Sequence, residues 1–591
     1  MTQSIKQLQE KIKQLEIDAI LIPGTDPHQS EYPPVEWELR KHFTGFKGSQ
    51  GDFIVTTDHC LLVTDSRYEL QVKKEVDADT VQAMIVERGT NFTHLLQFAQ
   101  EKTGGIGKLA VDPRLLSLND LDQLTTSPLL EDSEIYYLPQ TFWDEAWSSR
   151  PTPSKATVRK KPPGIDSLTA DEKINAIQQY LAEAEFDGHV VTDLESIARL
   201  LNIFGADTGD DQLVVSYLLI LQDELHWFVD KEKLRSVDIS QKVTTHDYDK
   251  FASILPELTQ NKSILLDRRE TTVFVSGSLA ESSNVIYGDS PLIEIKQIKT
   301  PHEIDTITKT HINDAVALAE AFAELTEQLK ENEIGPSEYE FGETLSEYRR
   351  QRPDFQALSF NPIIGYADNG AIVHYRANET DCKTIEAKSL LLVDSGGHYT
   401  GGTTDITRTL ALGEPTEEQK KRYTQVLKGH LALNLIKIPK GLAPAHLETL
   451  ARAPLLNDAK NYGHGTGHGV GYGTCVHESG ANASMTNRNH EPITAGWVIS
   501  NEPGYYEEGG FGIRIENLVA TEEYDDKHWH LVQLSHFPYE PELIDLRELS
   551  NTEIRWINTY HGKVWDALKE QLSKRAAAYI QEKCRPLPLH D

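Results

Sequence analysis

The chain has 591 residues, of which 39% are hydrophobic and 25% charged, as in globular proteins and unlike disordered or fibrous ones. Its 91 acidic and 58 basic residues give a formal net charge of −33, which argues against nucleic acid or an anionic membrane as the main partner. Four cysteines without a C-x-x-C pair, an N-terminus without a signal-peptide apolar core and no long apolar run together predict a cytoplasmic protein.

The first 150 residues predict an α/β unit. Apolar residues recur at helical spacing over residues 5–15, and residues 19–23 and 52–65 favour strands. Residues 148–164 contain four prolines and five Lys or Arg residues without apolar periodicity, which is typical of an interdomain linker.

The pattern then restarts. Thr169 and Glu172 form a capping-box sequence that predicts a helix to about residue 185. Residues 185–193 repeat the pattern of residues 16–24, and a strand-like segment follows each at a similar distance. The sequence therefore predicts two copies of one α/β unit, although helix–strand orders also recur by chance.

A second boundary falls near residue 300. Thr300, Pro301 and Glu303 predict the start of a helix that runs to about residue 329. Further helices are predicted over residues 337–350 and 417–436, and from Ser550 with apolar positions as far as Leu572.

Residues 390–409 predict two strands joined by a glycine-rich turn. The first strand leads to Asp394, and Thr403, Asp405 and Thr407 share one face of the second. A hairpin can therefore place Asp394 beside Asp405, and two such carboxylates need a cation between them or a proton on one. The alternative is that both residues only cap turns.

A second pair of strands is predicted over residues 497–520. One leads to Glu502, and the other places Arg514 and Glu516 on the face opposite Ile513 and Ile515. This pattern is typical of a half-buried strand with a polar face turned toward a site. A solvent-exposed Arg–Glu pair is the alternative.

A third motif holds three histidines. Residues 463–473 contain six glycines around His464 and His468, and His477 follows. The motif lacks the Lys-Ser/Thr pair of a phosphate loop, and its glycines disfavour a zinc-binding helix. It suits one metal bond with supporting histidines. His374, after an apolar run, is a weaker candidate, and purely structural histidines remain the alternative.

Together these motifs offer four carboxylates and one imidazole. Four negative charges balance two divalent cations, and oxygen-rich ligation favours Mn²⁺ or Co²⁺, with Zn²⁺ also possible. Two metals about 3.5–4 Å apart can share carboxylates and a hydroxide that acts as a nucleophile. The residues therefore predict a dinuclear hydrolase, and its candidate ligands are Asp394, Asp405, His468, Glu502 and Glu516.

Three motifs resemble those of the pita-bread metallopeptidases: the two aspartates with ten residues between them, HGTGHGVG and NEPGYY…GIRIEN. DPHQSEYPP, FTGFKGSQG and TDSRYELQ are similar to the first domain of the long, three-domain Xaa-Pro aminopeptidases. The resemblance implies an α/β (α+β) protein with two creatinase-like domains, residues 1–154 and 155–299. A pita-bread catalytic domain over 300–591 then has a C-terminal extension from about residue 540.

The resemblance also implies a role for each site residue. Asp394 would bind one metal, Asp405 and Glu516 would bridge both, and His468 and Glu502 would bind the other. Glu502 would also relay a proton. The remaining roles concern the substrate: His374 and His477 would steady the scissile carbonyl, His464 would line the approach, Tyr506 would wall the proline pocket, and Arg514 would hold the bridging glutamate.

The implied activity is metal-dependent hydrolysis of the N-terminal Xaa-Pro bond by a cytoplasmic homodimer with two Mn²⁺ ions per subunit. Its partners would be peptides with proline in second position, and neither nucleic acid nor membrane. The alternatives are an Xaa-Pro dipeptidase, metal-free creatinase-like chemistry and a non-catalytic peptide- or histone-binding protein. Cys475 and residues 479–490 depart from the family pattern, which leaves the pocket rim open; Cys475 is expected to be buried and inert.

Overall fold

The structure is a computed structural model that describes residues 2–235, 237–484 and 492–591. The N-terminal part of the chain contains the first sheet, which has six strands. Its strand order is β4-β3-β2-β1-β5-β6. The strands are β1 Ala19–Ile22, β2 Asp52–Thr56, β3 Cys60–Thr64, β4 Gln82–Ile85, β5 Lys108–Val111 and β6 Glu134–Tyr137. The helices are α1 Thr2–Leu15, α2 Leu39–Thr44, α3 Glu69–Glu75, α4 Asn91–Thr103, α5 Leu118–Thr125 and α6 Phe142–Ala146.

A second sheet follows the linker. The strands are β7 Arg159–Lys160, β8 Gly188–Val191, β9 Ile203–Phe204, β10 Ser216–Leu221, β11 Leu225–Val229, β12 Val243–His246, β13 Ser263–Leu266 and β14 Asn284–Tyr287. The helices are α7 Ala170–Glu183, α8 Leu194–Leu201, α9 Phe251–Thr259, α10 Val273–Gly277 and α11 Leu292–Gln297. The main sheet has the order β12-β11-β10-β8-β13-β14, and β7 in the linker pairs separately with β9.

The two sheets have one topology. In the first, β1 is antiparallel to β2 and parallel to β5, while β3 is parallel to β4. In the second, β8 is antiparallel to β10 and parallel to β13, while β11 is parallel to β12. The same strand order and directions confirm the predicted repeat of one α/β unit.

The C-terminal part of the chain contains several small sheets and long helices. The helices are α12 Pro301–Asn332, α13 Glu338–Arg350, α14 Glu417–Leu435, α15 Ala445–Leu456, α16 Asn551–Leu568 and α17 Lys574–Lys583. The strands are β15 Ile334–Ser337, β16 Phe355–Leu358, β17 Ile363–Tyr366, β18 Thr384–Glu386, β19 Leu390–Ser395, β20 Gly397–Tyr399, β21 Gly402–Thr403, β22 Ile406–Ala411, β23 Ile438–Pro439, β24 Gly467–Gly469, β25 Glu478–Ala483, β26 Val498–Asn501, β27 Gly504–Glu507, β28 Phe511–Arg514, β29 Asn517–Asp525 and β30 His528–Gln533.

Three of these sheets position the candidate site. They have the orders β17-β19-β22, β27-β28 and β23-β30-β29-β26-β24-β25. Buried apolar residues of α12, α13, α14, α16 and α17 form one core with strands β17, β19, β22 and β28. The strands that carry Asp394 and Arg514, and the strand that follows Asp405, are therefore held by the largest apolar cluster of the described residues.

The predicted helix starts are confirmed. Thr169, Thr300, Thr416 and Ser550 each form a complete capping box with the residue three positions on. The last periodic segment was predicted to continue to Leu572, but α16 ends at Leu568 and a separate helix, α17, begins at Lys574.

The chain divides into two compact units. One comprises Met1–Lys161 with Leu168–Ile295, and the other Pro162–Ser167 with Lys296–Asp591. The predicted boundaries at residues 154 and 299 stay a prediction. Among the described residues, no helix combines the length and apolar character needed to cross a membrane. Within the predicted departure over 479–490, residues 485–490 lie outside the described residues.

Candidate active site

The antiparallel strands β19 and β22 carry the first two candidate ligands. Asp394 lies directly opposite Thr407, and Asp405 precedes β22 by one residue. The sequence predicted a continuous strand from Thr403 to Thr407, but the structure interrupts it at residues 404–405, where the chain passes from one sheet to another. Asp394 is 8% and Asp405 4% exposed, so both carboxylates are buried inside the protein.

Glu502 and Glu516 also lie at breaks between sheets. Glu502 follows β26 and precedes β27, which belong to different sheets, and Glu516 lies between β28 and β29 in the same way. The predicted strand over 511–516 therefore ends at Arg514. At such breaks the backbone leaves the alternating pattern, so the carboxylates of Asp405, Glu502 and Glu516 can point toward one another.

Hydrogen bonds fix the two glutamates. The Glu502 main-chain N–H donates to the Thr466 carbonyl at 2.8 Å, and that of Glu516 donates to the Thr407 carbonyl at 3.2 Å. The Ser500 hydroxyl donates to Glu502 Oε1 at 3.1 Å, and the Thr407 hydroxyl donates to Glu516 Oε2 at 2.6 Å. Each carboxylate is thus held through both its main chain and its side chain.

His468 lies among these carboxylates. Its Nε2 is 3.4 Å from Asp405 Oδ2 and 3.5 Å from Glu502 Oε1. Its Nδ1 lies 2.9 Å from the Gly469 carbonyl, which can only accept, so Nδ1 carries a proton and Nε2 faces the acids. Asp405, His468 and Glu516 offer ligand atoms within 4.8 Å of one another. The structure therefore brings four of the five predicted ligands close together, namely Asp405, His468, Glu502 and Glu516.

Glycine at position 467 makes this approach possible. A Cβ atom there would lie 2.0 Å from the Ser500 carbonyl oxygen, well inside van der Waals contact. Strand β24, which carries His468, can therefore lie against β26 next to Glu502 only because residue 467 has no side chain. The glycine-rich motif serves a close backbone approach, as the sequence indicated.

The electrostatics of the cluster favour a bound cation. Burial raises the pKa of Asp394 to about 7, with Arg514 opposing and Asp405 adding to the effect. Burial and nearby carboxylates raise the pKa of Glu516 well above its usual range. For His468 burial lowers the pKa, but Asp405 and Glu502 outweigh it and raise the pKa to about 9. Buried Oδ1 atoms of Asp394 and Asp405 have no hydrogen-bond partner. Four carboxylates and one imidazole with open lone pairs fit two divalent cations.

Arg514 connects the cluster to the neighbouring aromatic residue. Its Nη2 donates to Asp394 Oδ2 at 2.6 Å, and its Nε donates to the Thr407 hydroxyl at 3.1 Å. Arg514 was expected to hold the bridging glutamate, but its ion pair is with Asp394, and its connection to Glu516 runs through Thr407. The guanidinium is fully buried, so it neutralises part of the acidic charge at short range.

A short chain of hydrogen bonds continues from Arg514. Its Nη1 donates to the Tyr506 hydroxyl at 2.7 Å, and that oxygen lies 2.7 Å from His464 Nε2. Because His464 Nδ1 donates to the Gly465 carbonyl at 2.7 Å, its Nε2 accepts from Tyr506. His464 Nδ1 is also 3.9 Å from Glu502 Oε2. The three predicted substrate-binding residues thus form one network beside the carboxylates.

The other two predicted histidines approach from different segments. The His477 ring packs edge-on against His468, with ring centroids 4.3 Å apart. His374 is half-buried in the turn that follows residues 367–371, a segment in backbone contact with β28 near Arg514. Cys475 is 1% exposed, as expected for this departure from the family pattern.

Several residues that support the candidate ligands were given no role from the sequence. Ser500 contacts both the His468 main chain, at 3.0 Å, and Glu502, and Thr407 contacts Glu516 and Arg514. Each lies two residues from a candidate ligand, Ser500 before Glu502 and Thr407 after Asp405, so their proximity to the site could have been anticipated from the sequence. Arg452 donates to the carbonyls of Tyr462 and His464, and no local pattern indicates that contact.

Models of known families match successive parts of the chain. Residues 307–523 match metallopeptidase family M24, and residues 528–587 match the C-terminal region of peptidase M24. Residues 5–131 and 149–303 each match a creatinase/prolidase N-terminal domain. The fold and the site together define a metallopeptidase of the M24 class, with two creatinase-like domains before a pita-bread domain, as predicted.

Similarity to individual proteins extends over almost the whole chain. A probable Xaa-Pro aminopeptidase P of Laccaria bicolor is 32% identical over 99% of this chain and 94% of its own. Xaa-Pro aminopeptidase 1 of Dictyostelium discoideum is 32% identical over 99% and 97%. An X-prolyl aminopeptidase from Caenorhabditis elegans, described as a cytosolic enzyme with a di-nuclear active site, matches 99% of each chain with a TM-score of 0.91 at 28% identity. The chain belongs to the Xaa-Pro aminopeptidase P family.

Proposed function

We propose that this protein is an aminopeptidase that hydrolyses the bond between the first residue of a peptide and a proline in second position. The observation that carries the proposal is the convergence of Asp405, His468 and Glu516 within 4.8 Å, with Glu502 and Asp394 beside them. A site of this composition supports hydrolysis, and full-length similarity to named Xaa-Pro aminopeptidases supports the substrate class.

In the proposed site, five residues would hold two divalent cations. Asp394 would hold one ion, His468 and Glu502 would hold the other, and Asp405 and Glu516 would serve as ligands of both. The proposed ion is Mn²⁺, with Co²⁺ or Zn²⁺ as alternatives, because the donors are mainly carboxylate oxygens. When bound, the ions polarise the scissile carbonyl and activate the attacking water.

The remaining roles belong to side chains of this chain. Glu502 accepts the proton of the attacking water on a carboxylate oxygen and passes it to the leaving nitrogen. His374 and His477 donate hydrogen bonds to the developing oxyanion of the scissile carbonyl. The network of His464, Tyr506 and Arg514 forms the wall of the substrate pocket and holds Asp394 in orientation.

The proposed substrate suits this chemistry. A bond before proline is a tertiary amide, so its leaving nitrogen has no N–H that could donate a hydrogen bond to an enzyme. A site that polarises the carbonyl and delivers the nucleophile from the cluster needs no such donor. Recognition then depends on the proline ring and on the free N-terminal amine.

The direct test compares two peptides. Protein loaded with Mn²⁺ is expected to release arginine from the tripeptide Arg-Pro-Pro. Release from the dipeptide Arg-Pro alone would contradict the proposal and favour the dipeptidase alternative. Failure to bind any divalent ion, with or without added Mn²⁺, would favour a non-catalytic binding protein. A parallel panel of Xaa-Ala peptides controls for loss of proline specificity.

The assembly and location are part of the same proposal. A homodimer is supported by family resemblance, and light scattering of the purified full-length chain at a monomeric mass would contradict it. A cytoplasmic location is supported by the Caenorhabditis elegans relative, which is described as cytosolic. Peptides are the proposed partners, and the net charge of −33 gives no basis for nucleic acid or membrane binding.

A further inference from the structure

The segment of residues 366–383, which carries His374, is anchored at one buried carboxylate outside the site described above. Glu338 is the first residue of α13 and is 0% exposed. Its Oε1 accepts a hydrogen bond from the Tyr366 main-chain N–H at 2.7 Å, and its Oε2 accepts one from the Lys383 N–H at 2.8 Å. Glu338 therefore binds the two ends of the segment at once.

The same carboxylate also binds the middle of the segment. The Asn369 side-chain amide donates to both oxygens, at 3.0 and 2.9 Å, and the Tyr375 hydroxyl donates to Oε2 at 2.8 Å. Two consecutive turns join these anchors, because the Ile372 N–H donates to Asn369 O and the Tyr375 N–H donates to Ile372 O. His374 lies between Asn369 and Tyr375, whose side chains both donate to Glu338, and it immediately precedes Tyr375.

The anchored segment lies against the strand that carries Arg514. A Cβ atom at Gly512 in β28 would lie 1.7 Å from the Gly370 carbonyl oxygen, so the two backbones touch there. Arg514, two residues beyond Gly512, donates to Asp394. The position of the 366–383 segment is thus fixed on one side by Glu338 and on the other by the wall of the site.

The hydrogen-bond chemistry requires a carboxylate at position 338. Both oxygens accept from main-chain N–H groups, whereas a glutamine offers one oxygen and one NH₂ group. Either orientation of the amide would therefore set an N–H against the N–H of Tyr366 or Lys383. The start of α13 does not need this side chain, because Ser337 and Glu340 form its capping box.

We infer that Glu338 is a positioning residue that fixes His374 against the substrate carbonyl by anchoring the segment of residues 366–383. The inference rests on the proposed function, in which His374 contacts the reacting carbonyl. Misplacement of a catalytic group by about 1 Å costs on the order of a hundredfold in rate. Because Glu338 acts through the segment that it anchors, the effect of replacing Glu338 on kcat is expected to depend on the presence of His374.

The experiment is a double-mutant cycle on the Mn²⁺-loaded, full-length protein. Glu338→Gln is expected to lower kcat about ten- to hundredfold with little change in KM and in bound Mn²⁺. His374→Ala is expected to lower kcat further. The double variant is expected to match His374→Ala, because a misplaced segment costs nothing more once the imidazole is gone.

Glu340→Gln is the matched control, because it makes the same substitution at an exposed position two residues further along the same helix. The kcat of this variant is expected to be unchanged. If Glu338→Gln lowers kcat by the same factor whether or not His374 is present, the inference is overturned. Full turnover in His374→Ala would refute both the role of His374 and this inference, whereas additive losses would refute the inference alone. If Glu338→Gln does not fold, Tyr375→Phe, which removes one donor to the carboxylate, is tested in the same cycle with the same criteria.

Discussion

The most direct test of the metal site replaces Thr407 by valine, a change that keeps the shape of the side chain and removes one hydroxyl. That hydroxyl accepts a hydrogen bond from Arg514 Nε at 3.1 Å and donates one to Glu516 Oε2 at 2.6 Å. Thr407 is 0% exposed, so water does not readily replace the lost contacts. Glu516 would then keep its main-chain bond but lose the contact that orients its carboxylate.

The expected magnitude follows from that contact. A hydrogen bond to a charged group contributes about 1.5–3 kcal/mol, which corresponds to about a 10- to 150-fold change in an equilibrium constant. Partners that orient metal ligands typically change metal affinity by about 10- to 100-fold when they are replaced. We therefore expect Thr407→Val to weaken Mn²⁺ binding by about 10- to 100-fold.

Calorimetric titration of metal-free protein with Mn²⁺ measures this effect, and thermal unfolding shows whether the variant is folded. Thr409→Val is the matched control, because Thr409 lies two residues on in β22 and its hydroxyl contacts the main chain of Arg514 and not a carboxylate. Mn²⁺ affinity within about twofold of the unmodified protein for Thr407→Val, or equal losses in both variants, would refute the reasoning.

Three further predictions concern the ligands and their neighbours. Asp405→Ala should remove bound metal and abolish turnover while circular dichroism shows an intact fold; full turnover would refute the dinuclear assignment. His477→Ala, in contrast, should keep its metal and lose turnover, and metal analysis showing an empty site would place His477 among the ligands. The stabilisation by Mn²⁺ should grow as pH rises. In the metal-free protein the pKa of Asp394 is raised to about 7 and that of His468 to about 9. The folded state therefore holds more protons than the unfolded state, so the free energy of unfolding falls as the pH rises from about 4 to 9. Because metal binding requires those protons to leave, the increase in Tm caused by Mn²⁺ should be larger at pH 8 than at pH 6, and an equal increase would contradict it.

The candidate ligands could be proposed from the sequence because they belong to local patterns. Asp394 and Glu502 end apolar strands, and His468 lies among glycines that a close backbone approach requires. Helix starts were equally accessible, since a capping box needs only two residues three positions apart. The repeated sheet was visible because both copies keep the same order of elements along the chain.

The rest depends on contacts between distant parts of the chain. The strand breaks at residues 404–405 and 515–516 arise where the chain changes sheets, and alternation within one strand does not reveal them. The ion-pair partner of Arg514 is Asp394, which is 120 residues away, whereas the family resemblance implied that Arg514 holds Glu516. Glu338 reaches Lys383 across 45 residues, and nothing in the sequence around Glu338 distinguishes it from a first-turn helix acid.

Arg408 connects the C-terminal region of the chain to the site, although that region supplies no candidate ligand. The side chain is 2% exposed and lies on the face of β22 opposite Thr407. Its N–H groups donate to Pro538 O at 2.9 Å, Thr407 O at 2.8 Å, Glu516 O at 2.6 Å, Asn517 Oδ1 at 2.8 Å and Phe537 O at 2.6 Å. A guanidinium has five N–H donors, so these acceptors offset the cost of burying its charge. Two of the acceptors follow β30, and another is the carbonyl of the proposed bridging ligand Glu516. The chain beyond β30 thus holds the main chain of Glu516 in place, which gives this region a physical role in the geometry of the site.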